Sequence, residues 1–462
     1  MIFRFFFVLL LSFTFFIQAR QSSEVPITVT INRDTVINTV SDYFFGHNYW
    51  LWCESWGNKI AGTESAVKEL GVKMLRFGGI NVDIGYPDGV SNGIISQYYS
   101  YCKRIGAEPF FQLQVAKYSD SRAMADNAIK MIDYFKKIHN LTYVSIGNEP
   151  DIYASTLAPN NDYRAEYLGE YTVDKYCDQY NVAASEIRAK YPDIKITGLE
   201  LSWNYEGWIP VFLSKCKDNV DMISTHYYPF TAGGCTFERA SKQYNDLYDF
   251  YARIRSLIDQ NAGGKNIPLV IGETSITWDG EPKKSVLNAS PGTFAAALWF
   301  ADFLGVSSMQ KNLFSVMPWS IREDWSLGFI SSQKRPVYHV YKMFSTFTKK
   351  QCIHSENINN NVRIYGYRDD KNETSVFAVN WDTTSSYAVT INFPGTADTV
   401  IRTCSIPPYS VSCMTYSENY SVSHQYIYTK RLESTGYISE TDKHYKQQFM
   451  PKKKRFFSFK PL

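Results

Sequence analysis

The chain has 462 residues, enough for a core of barrel size plus a smaller domain, and its 44% hydrophobic content excludes a largely disordered chain. A net charge of +3 is too small to point to a nucleic-acid partner. Aromatic residues make up 16% of the sequence, a supply of rings sufficient for stacking on sugars as well as for core packing.

In chain order, Arg4 precedes an apolar run from Phe5 to Ile17 that gives way to QARQSSE. This is the layout of a signal peptide over residues 1–20, with cleavage near Ala19. The run is shorter than the roughly 20 residues that span a bilayer, and no later segment is apolar and long enough to do so. The expectation is a secreted or extracellular protein, or one in the lysosome or another endomembrane lumen, with no stable membrane insertion after signal removal. N-x-S/T sequons at Asn140, Asn288, Asn372 and Asn419 fit that route.

The alternating segment PITVTINRD, within 26–38, precedes a long stretch, 40–349, in which strand-like and helix-like runs alternate eight times. The predicted strands are FFGHNYW (44–50), KMLRFGG (73–79), EPFFQLQV (108–115), YVSIGNEP (143–150), KITGLELS (195–202), DMISTHYYP (221–229), IPLVIGETS (267–275) and LFSVMPWS (313–320). Between them lie stretches with apolar residues at helical spacing, such as MADNAIKMIDYFKKIH and TFAAALWFADFLG. Eight β-α repeats demand parallel strands with crossover helices, and they match one closed (β/α)8 barrel. After FSTFTKK the texture changes to short alternating strands, VRIYGYRD, TSVFAVNWD, YAVTINFP and SVSCMTYS. That pattern predicts a C-terminal antiparallel β-sandwich over 350–417, joined by 26–38. The polar, basic segment 418–462 is expected to be a disordered tail.

Eight cysteines form an even set suited to disulfides in an oxidising compartment; free buried thiols are the alternative. Cys404 and Cys413 flank SIPPYSVS and are placed to close a local loop. No CxxC spacing or histidine cluster points to a metal, and nothing calls for a cofactor.

The two residues that carry most chemistry are Glu149 and Glu273. Each lies at the carboxyl end of a short apolar strand, where barrel enzymes keep their reactive groups. Two carboxylates facing one cleft can divide glycosidic cleavage between an acid/base and a nucleophile. Asn148 supplies an amide suited to a sugar 2-hydroxyl. His226 and Tyr228 share one strand face by the period of two. Arg76 is costly to bury unpaired, and Glu273 is its natural partner. Trp319 offers a stacking floor, and Asn48, Gln112, Gln114 and Glu200 are polar strand ends that would line subsites.

IGNEP on the fourth strand and IGETS on the seventh resemble the signature of clan A glycoside hydrolases, and the resemblance covers residues 26–416. With LRFGG, HYYP and GTFAAALWFADFLG it is most similar to family 79, the heparanase and β-glucuronidase group. The resemblance implies a retaining β-glycosidase acting on an oligo- or polysaccharide, with Glu149 as acid/base and Glu273 as nucleophile. It also implies a hydrogen bond from Tyr228 to Glu273. A uronic-acid substrate would need a cation for its carboxylate, and Lys117 and Arg322 are the candidates. A neutral glucan or xylan is the alternative substrate. A non-catalytic carbohydrate-binding protein on the same scaffold is the alternative class, against which the joint presence of both glutamates, Asn148 and Arg76 argues.

Overall fold

The computed structural model describes residues 24–50, 59–85, 89–115, 120–153, 171–231, 234–278, 291–323, 327–356, 359–394 and 399–439. The expected signal segment, Cys53, Lys117, the sequon at Asn288 and the basic C-terminal end lie outside them. The strands, in order, are β1 (Val25–Thr39), β2 (Gly46–Tyr49), β3 (Met74–Phe77), β4 (Glu108–Leu113), β5 (Tyr143–Ile146), β6 (Lys195–Leu201), β7 (Met222–Tyr227), β8 (Leu269–Thr274) and β9 (Leu313–Pro318). They are followed by β10 (Gln351–Ser355), β11 (Val362–Arg368), β12 (Thr374–Asn380), β13 (Tyr387–Phe393), β14 (Val400–Ile406), β15 (Ser410–Tyr416), β16 (Val422–Thr429) and β17 (Ile438–Ser439).

Strands β2 to β9 form an eight-stranded parallel sheet in sequence order, and a parallel bridge between Phe45 and Val316 joins its two edges into a barrel. Each of the eight predicted barrel strands supplies one of them. Side chains that point inward follow the period of two, so one strand contributes to successive layers of the interior. The lowest layer is apolar, with Met74, Phe110, Met222, Val270 and Met317 packed together. Two residues further along the same strands stand Arg76, Gln112, Ser224 and Gly272, so the filling turns polar toward the carboxyl ends. That is the end at which barrel enzymes bind substrate.

The helix Phe294–Ser308 is buried along its whole length, as its all-round apolar sequence requires. Its inner side belongs to the barrel and its outer side carries the second sheet. Asp302 is its one charged residue. This carboxylate accepts from Tyr365 Oη at 2.8 Å and Trp381 Nε1 at 2.7 Å, with Arg363 at 3.4 Å, so the two domains meet through a polar cluster in which both Asp302 oxygens are paired. Three residues on, a Cβ at Gly305 would lie 2.5 Å from the Tyr365 ring.

The second sheet has the order β14-β13-β1-β10-β11-β12-β15-β16-β17 and is antiparallel except where the first half of β1 runs parallel to β13. The second half of β1 pairs with β10. Alternation sorts β11 between two cores. Val362 and Ile364 face the interior of the curled sheet with Val29, Ile31 and Phe393, whereas Tyr365 and Tyr367 face the barrel helices.

Two expectations are corrected here. The chain does not leave the fold at 418, because β16 pairs with β15 along its length and β17 pairs with β16. Tyrosines do this packing: Tyr426 stacks on Phe347 at 4.2 Å, and Tyr428 packs on Phe294 at 5.1 Å. Counted as polar, they hid the strand. A chain ending at Ser417 is therefore expected to melt several degrees lower than one ending at Ser439. It would lose the buried Ile427, Tyr428 and Leu432, each worth about 1.5–3 kcal/mol. Thermal unfolding of the two truncations checks this, and equal melting points would refute it.

Disulfides are the second correction. All seven described cysteines are free thiols. Cys413 faces the barrel helices, whereas Cys404 packs on the inner core of the curled sheet, so the two point to opposite faces and cannot meet.

Candidate active site

At the carboxyl ends of the barrel strands, one charged cluster brings together Arg76, Asn148, Glu149, His226, Tyr228 and Glu273. Arg76 projects from β3 and is fully buried. Its Nη1 donates to Glu273 Oε1 and to Asn48 Oδ1, both at 2.9 Å, and its Nη2 donates to Asn148 Oδ1 at 2.6 Å. Its Nε lies 3.4 Å from Glu200 Oε1. The glycine pair after this strand clears the space. A Cβ on Gly78 would lie 2.6 Å from the guanidinium carbon, and one on Gly79, at φ +108, would lie 2.9 Å from the Trp319 ring.

Glu149 follows β5 in a left-handed conformation, φ 51, and opens the short 3-10 turn Pro150–Ile152. Its backbone N–H donates to the Glu200 carbonyl at 2.8 Å. Asp83, in the helix Ile80–Gly85, anchors the residue before it. One oxygen accepts from Asn148 N at 3.0 Å, from Gln112 Nε2 at 3.2 Å and from Tyr153 Oη, the other from Val115 N at 2.8 Å.

Glu273, near the end of β8, accepts from Tyr228 Oη at 2.9 Å on the oxygen not used by Arg76. His226 Nδ1 stands 2.8 Å from Glu149 Oε1 and 3.7 Å from Glu273 Oε2, and its Nε2 is 3.1 Å from Glu200 Oε2. One side-chain atom each from Glu149, His226 and Glu273 lies within 4.8 Å of the other two. Such spacing would suit a cation, but Arg76 and His226 already supply the positive charge, and both ring nitrogens of His226 face carboxylates.

Burial pushes the Glu273 carboxyl above its ordinary value and the nearby Glu149 adds to this, while His226, Arg76 and the Tyr228 hydrogen bond pull it down. For His226 burial disfavours the charged ring, but Glu273, Glu149 and Glu200 outweigh it and raise the imidazole to about 10 from an ordinary 6.5. A histidine raised in the folded state contributes stability that is full below the unfolded value and lost as pH climbs toward the folded one. The melting-point difference between the native chain and His226→Gln is therefore expected to shrink as pH goes from about 6.5 to about 10. A constant difference over that window in melting curves would contradict it.

Trp319 follows β9, half-buried, with its ring 5.4 Å from that of Trp50 and facing Gly79. Arg322 is half-buried in the loop after β9. The polar strand ends Asn48, Gln112, Gln114 and Glu200 direct their side chains to partners inside the barrel and not to subsites. Asn48 holds the backbone of β8 and β9 through Gly272 and Met317, and Gln112 accepts from Gly79 N at 2.7 Å. Sequence reasoning also missed Asp83, whose only signal is one acid inside an apolar segment. Two exposed tryptophans were missed as well. Trp203 follows β6 at 64% exposure and Trp278 follows β8 at 59%. Asp151 fixes the first of these loops by accepting from the backbone N–H groups of Ser202, Trp203 and Asn204, each at 3.0 Å.

The fold and the position of the charged cluster define a TIM barrel with a β-sandwich domain and a charged mouth. No protein-family profile and no curated relative matches the sequence. Solved structures do match. A family 51 α-L-arabinofuranosidase, AbfB, from Bifidobacterium longum superposes with a TM-score of 0.66 at 14% identity, over 89% of this chain and 94% of its own. The α-L-arabinofuranosidase of Thermotoga maritima gives 0.64 at 14%, over 84% and 97%. A family 44 xyloglucanase of Paenibacillus polymyxa gives 0.64 at 12%, over 83% and 98%. At these identities the likeness establishes the shared architecture, including the trailing sandwich.

Proposed function

We propose that the protein is a retaining glycosidase in which Glu273 attacks the anomeric carbon and Glu149 protonates the leaving oxygen, then activates water. The observation that carries this is that one oxygen of each carboxylate lies within 4.8 Å of the other and of a His226 ring nitrogen. Double displacement uses carboxyls about 5–5.5 Å apart, whereas inversion needs roughly 6.5–9.5 Å to admit a water. Their surroundings divide the roles. Arg76 and Tyr228 both donate to Glu273 and so favour a carboxylate ready to attack, whereas Glu149 opens onto the mouth with 17% of its side chain exposed. Asn148, its Oδ1 held by Arg76, has its Nδ2 to offer a sugar hydroxyl. The matching arabinofuranosidases and xyloglucanase act on glycosides, which agrees with this chemistry.

The substrate is a glycan, with Trp203 and Trp278 as stacking surfaces for units beyond the reacting sugar. Trp203→Ala is expected to raise KM about 2- to 10-fold on an oligosaccharide with little change in kcat, because stacking of this kind is worth about 0.5–1.5 kcal/mol. An unchanged KM would remove Trp203 from the binding surface. The family 79 resemblance of LRFGG, GNEP, HYYP and GETS supports a uronic-acid glycoside. Arg76 is occupied by two glutamates and two asparagines, so the substrate carboxylate would fall to Arg322 or Lys117. The apolar N-terminal run and the exposed sequons at Asn140 and Asn419 support a secreted protein. Assay of the purified chain against aryl β-glucuronide, β-glucoside, β-xyloside and α-L-arabinofuranoside tests the proposal. Turnover of one of these, strongest for the glucuronide, is expected; no turnover of any aryl glycoside or oligosaccharide would refute it.

A further inference from the structure

Glu200 has the most deliberate placement of any group that the proposed chemistry leaves unused. It lies near the end of β6, where Leu199 (φ 77) and Glu200 (φ 49) are both left-handed and the pairing with β7 slips between Leu199 and Leu201. Neither residue is a glycine, so this bulge stores strain that the surroundings must hold. Its effect is to turn a carboxylate into the barrel, where it is fully buried. The neighbouring strand makes room for it. A Cβ at Gly272, immediately before Glu273, would collide with Glu200 Oε2 and stand 2.6 Å from Ser224 Oγ. Once inside, Glu200 Oε2 accepts from Ser224 Oγ at 2.6 Å and faces His226 Nε2 at 3.1 Å, while Oε1 faces Arg76. The carbonyl of the same residue receives the backbone N–H of Glu149.

We propose that Glu200 is a positioning residue for Glu149: it fixes the His226 ring with Nε2–H toward itself and Nδ1–H toward Glu149 Oε1, leaving Oε2 of Glu149 to carry the proton for the leaving group. The inference rests on the acid/base role given to Glu149. The groups facing His226 are Glu149 after β5, Glu200 on β6 and Glu273 on β8; those facing Glu200 are Arg76 on β3, Ser224 and His226. With Arg76 and His226 charged, ionised Glu200 and Glu273 balance them, and a protonated Glu149 leaves the cluster neutral. Burial opposes the charge on Glu200, but Arg76 and His226 outweigh it and hold the carboxyl at about 2. Without that negative charge the His226 ring loses one of the carboxylates that hold its second proton, so that proton, and with it the Nδ1–H that orients Glu149, is lost at lower pH.

The test compares the native chain, Glu200→Gln and Glu200→Asp on two aryl glycosides of the sugar that the enzyme cleaves. One has a dinitrophenyl leaving group, which departs without a proton, and the other an unsubstituted phenyl, which needs one. Glu200→Gln is expected to lose about 10- to 100-fold in kcat/KM on the phenyl glycoside and to change little on the dinitrophenyl glycoside, with the basic limb of the pH-rate profile moved to lower pH. Glu200→Asp, which keeps the charge but draws it back by one methylene, is expected to fall between, and it carries the comparison should the Gln variant not fold. Equal losses on both leaving groups, or an unmoved basic limb, would overturn the proposal. Nitrogen-15 spectra of the histidines provide a reading independent of turnover: the His226 ring is expected to lose its second proton at lower pH in the variants. If no glycoside is cleaved, the functional proposal fails by itself, while unchanged His226 titration would overturn the present one.

Discussion

Glu273→Gln is expected to lose turnover of every glycoside, whatever its leaving group and whatever nucleophile is added. Its carboxylate forms the covalent intermediate, and loss of a covalent nucleophile costs on the order of 10⁵- to 10⁶-fold. Glu149→Gln should behave differently. Without a general acid, glycosides with poor leaving groups should lose about 10²- to 10⁴-fold, while attack on a dinitrophenyl glycoside persists and the glycosyl-enzyme accumulates for want of a base. Azide needs no base and should restore turnover in Glu149→Gln alone. The asymmetry follows from the contacts: Glu273 is gripped on both oxygens by Arg76 and Tyr228, whereas Glu149 meets only His226 among these groups and opens toward the mouth. Equal, unrescued losses in the two variants would remove the assignment of roles.

Arg76→Met should have the second largest effect. The guanidinium has no exposed surface and contacts Glu273, Glu200, Asn48 and Asn148, so its removal leaves two buried carboxylates to share the charge of His226. Breaking a buried pair of this kind costs about 3–5 kcal/mol. Divided between folding and transition state, that lowers the melting point by several degrees and kcat/KM by roughly 10² or more. The pH-rate profile separates the two. Burial already raises the Glu273 carboxyl and Arg76 opposes the rise, so without Arg76 the acidic limb should move to higher pH. A native acidic limb together with a native melting point would show that the pair does not act as described.

The barrel was legible because its eight strands are apolar runs bounded by turn residues, and their number constrains the closure more than any one of them does. Glu149 and Glu273 were legible because the end of a buried strand leaves few other uses for a carboxylate. Arg76 was legible from cost alone, as a buried cation needs an anion. Less was visible below that first layer. Asp83 and Glu200 act through the helix Ile80–Gly85 and the bulge at Leu199–Glu200, and neither follows from a period of two or of 3.6. Glu200 was therefore placed on a subsite when it lies behind His226. The strand β16 escaped because Tyr426 and Tyr428 pack as apolar residues while counting as polar. The cysteine pairing failed because sequence proximity of Cys404 and Cys413 carries no information about the face each residue points to.

The most direct test of the account is to find the residue that carries the sugar during turnover. Incubating the native chain with a dinitrophenyl 2-deoxy-2-fluoro glycoside slows both steps, the second more, so the glycosyl-enzyme persists long enough for digestion and peptide mass spectrometry. One sugar should be attached, on the peptide containing Glu273 and at that residue, and none should be found in Glu273→Gln. A label on Glu149 or elsewhere, or hydrolysis with no covalent adduct and an inverted anomeric product, would contradict the assignment of Glu273 as nucleophile.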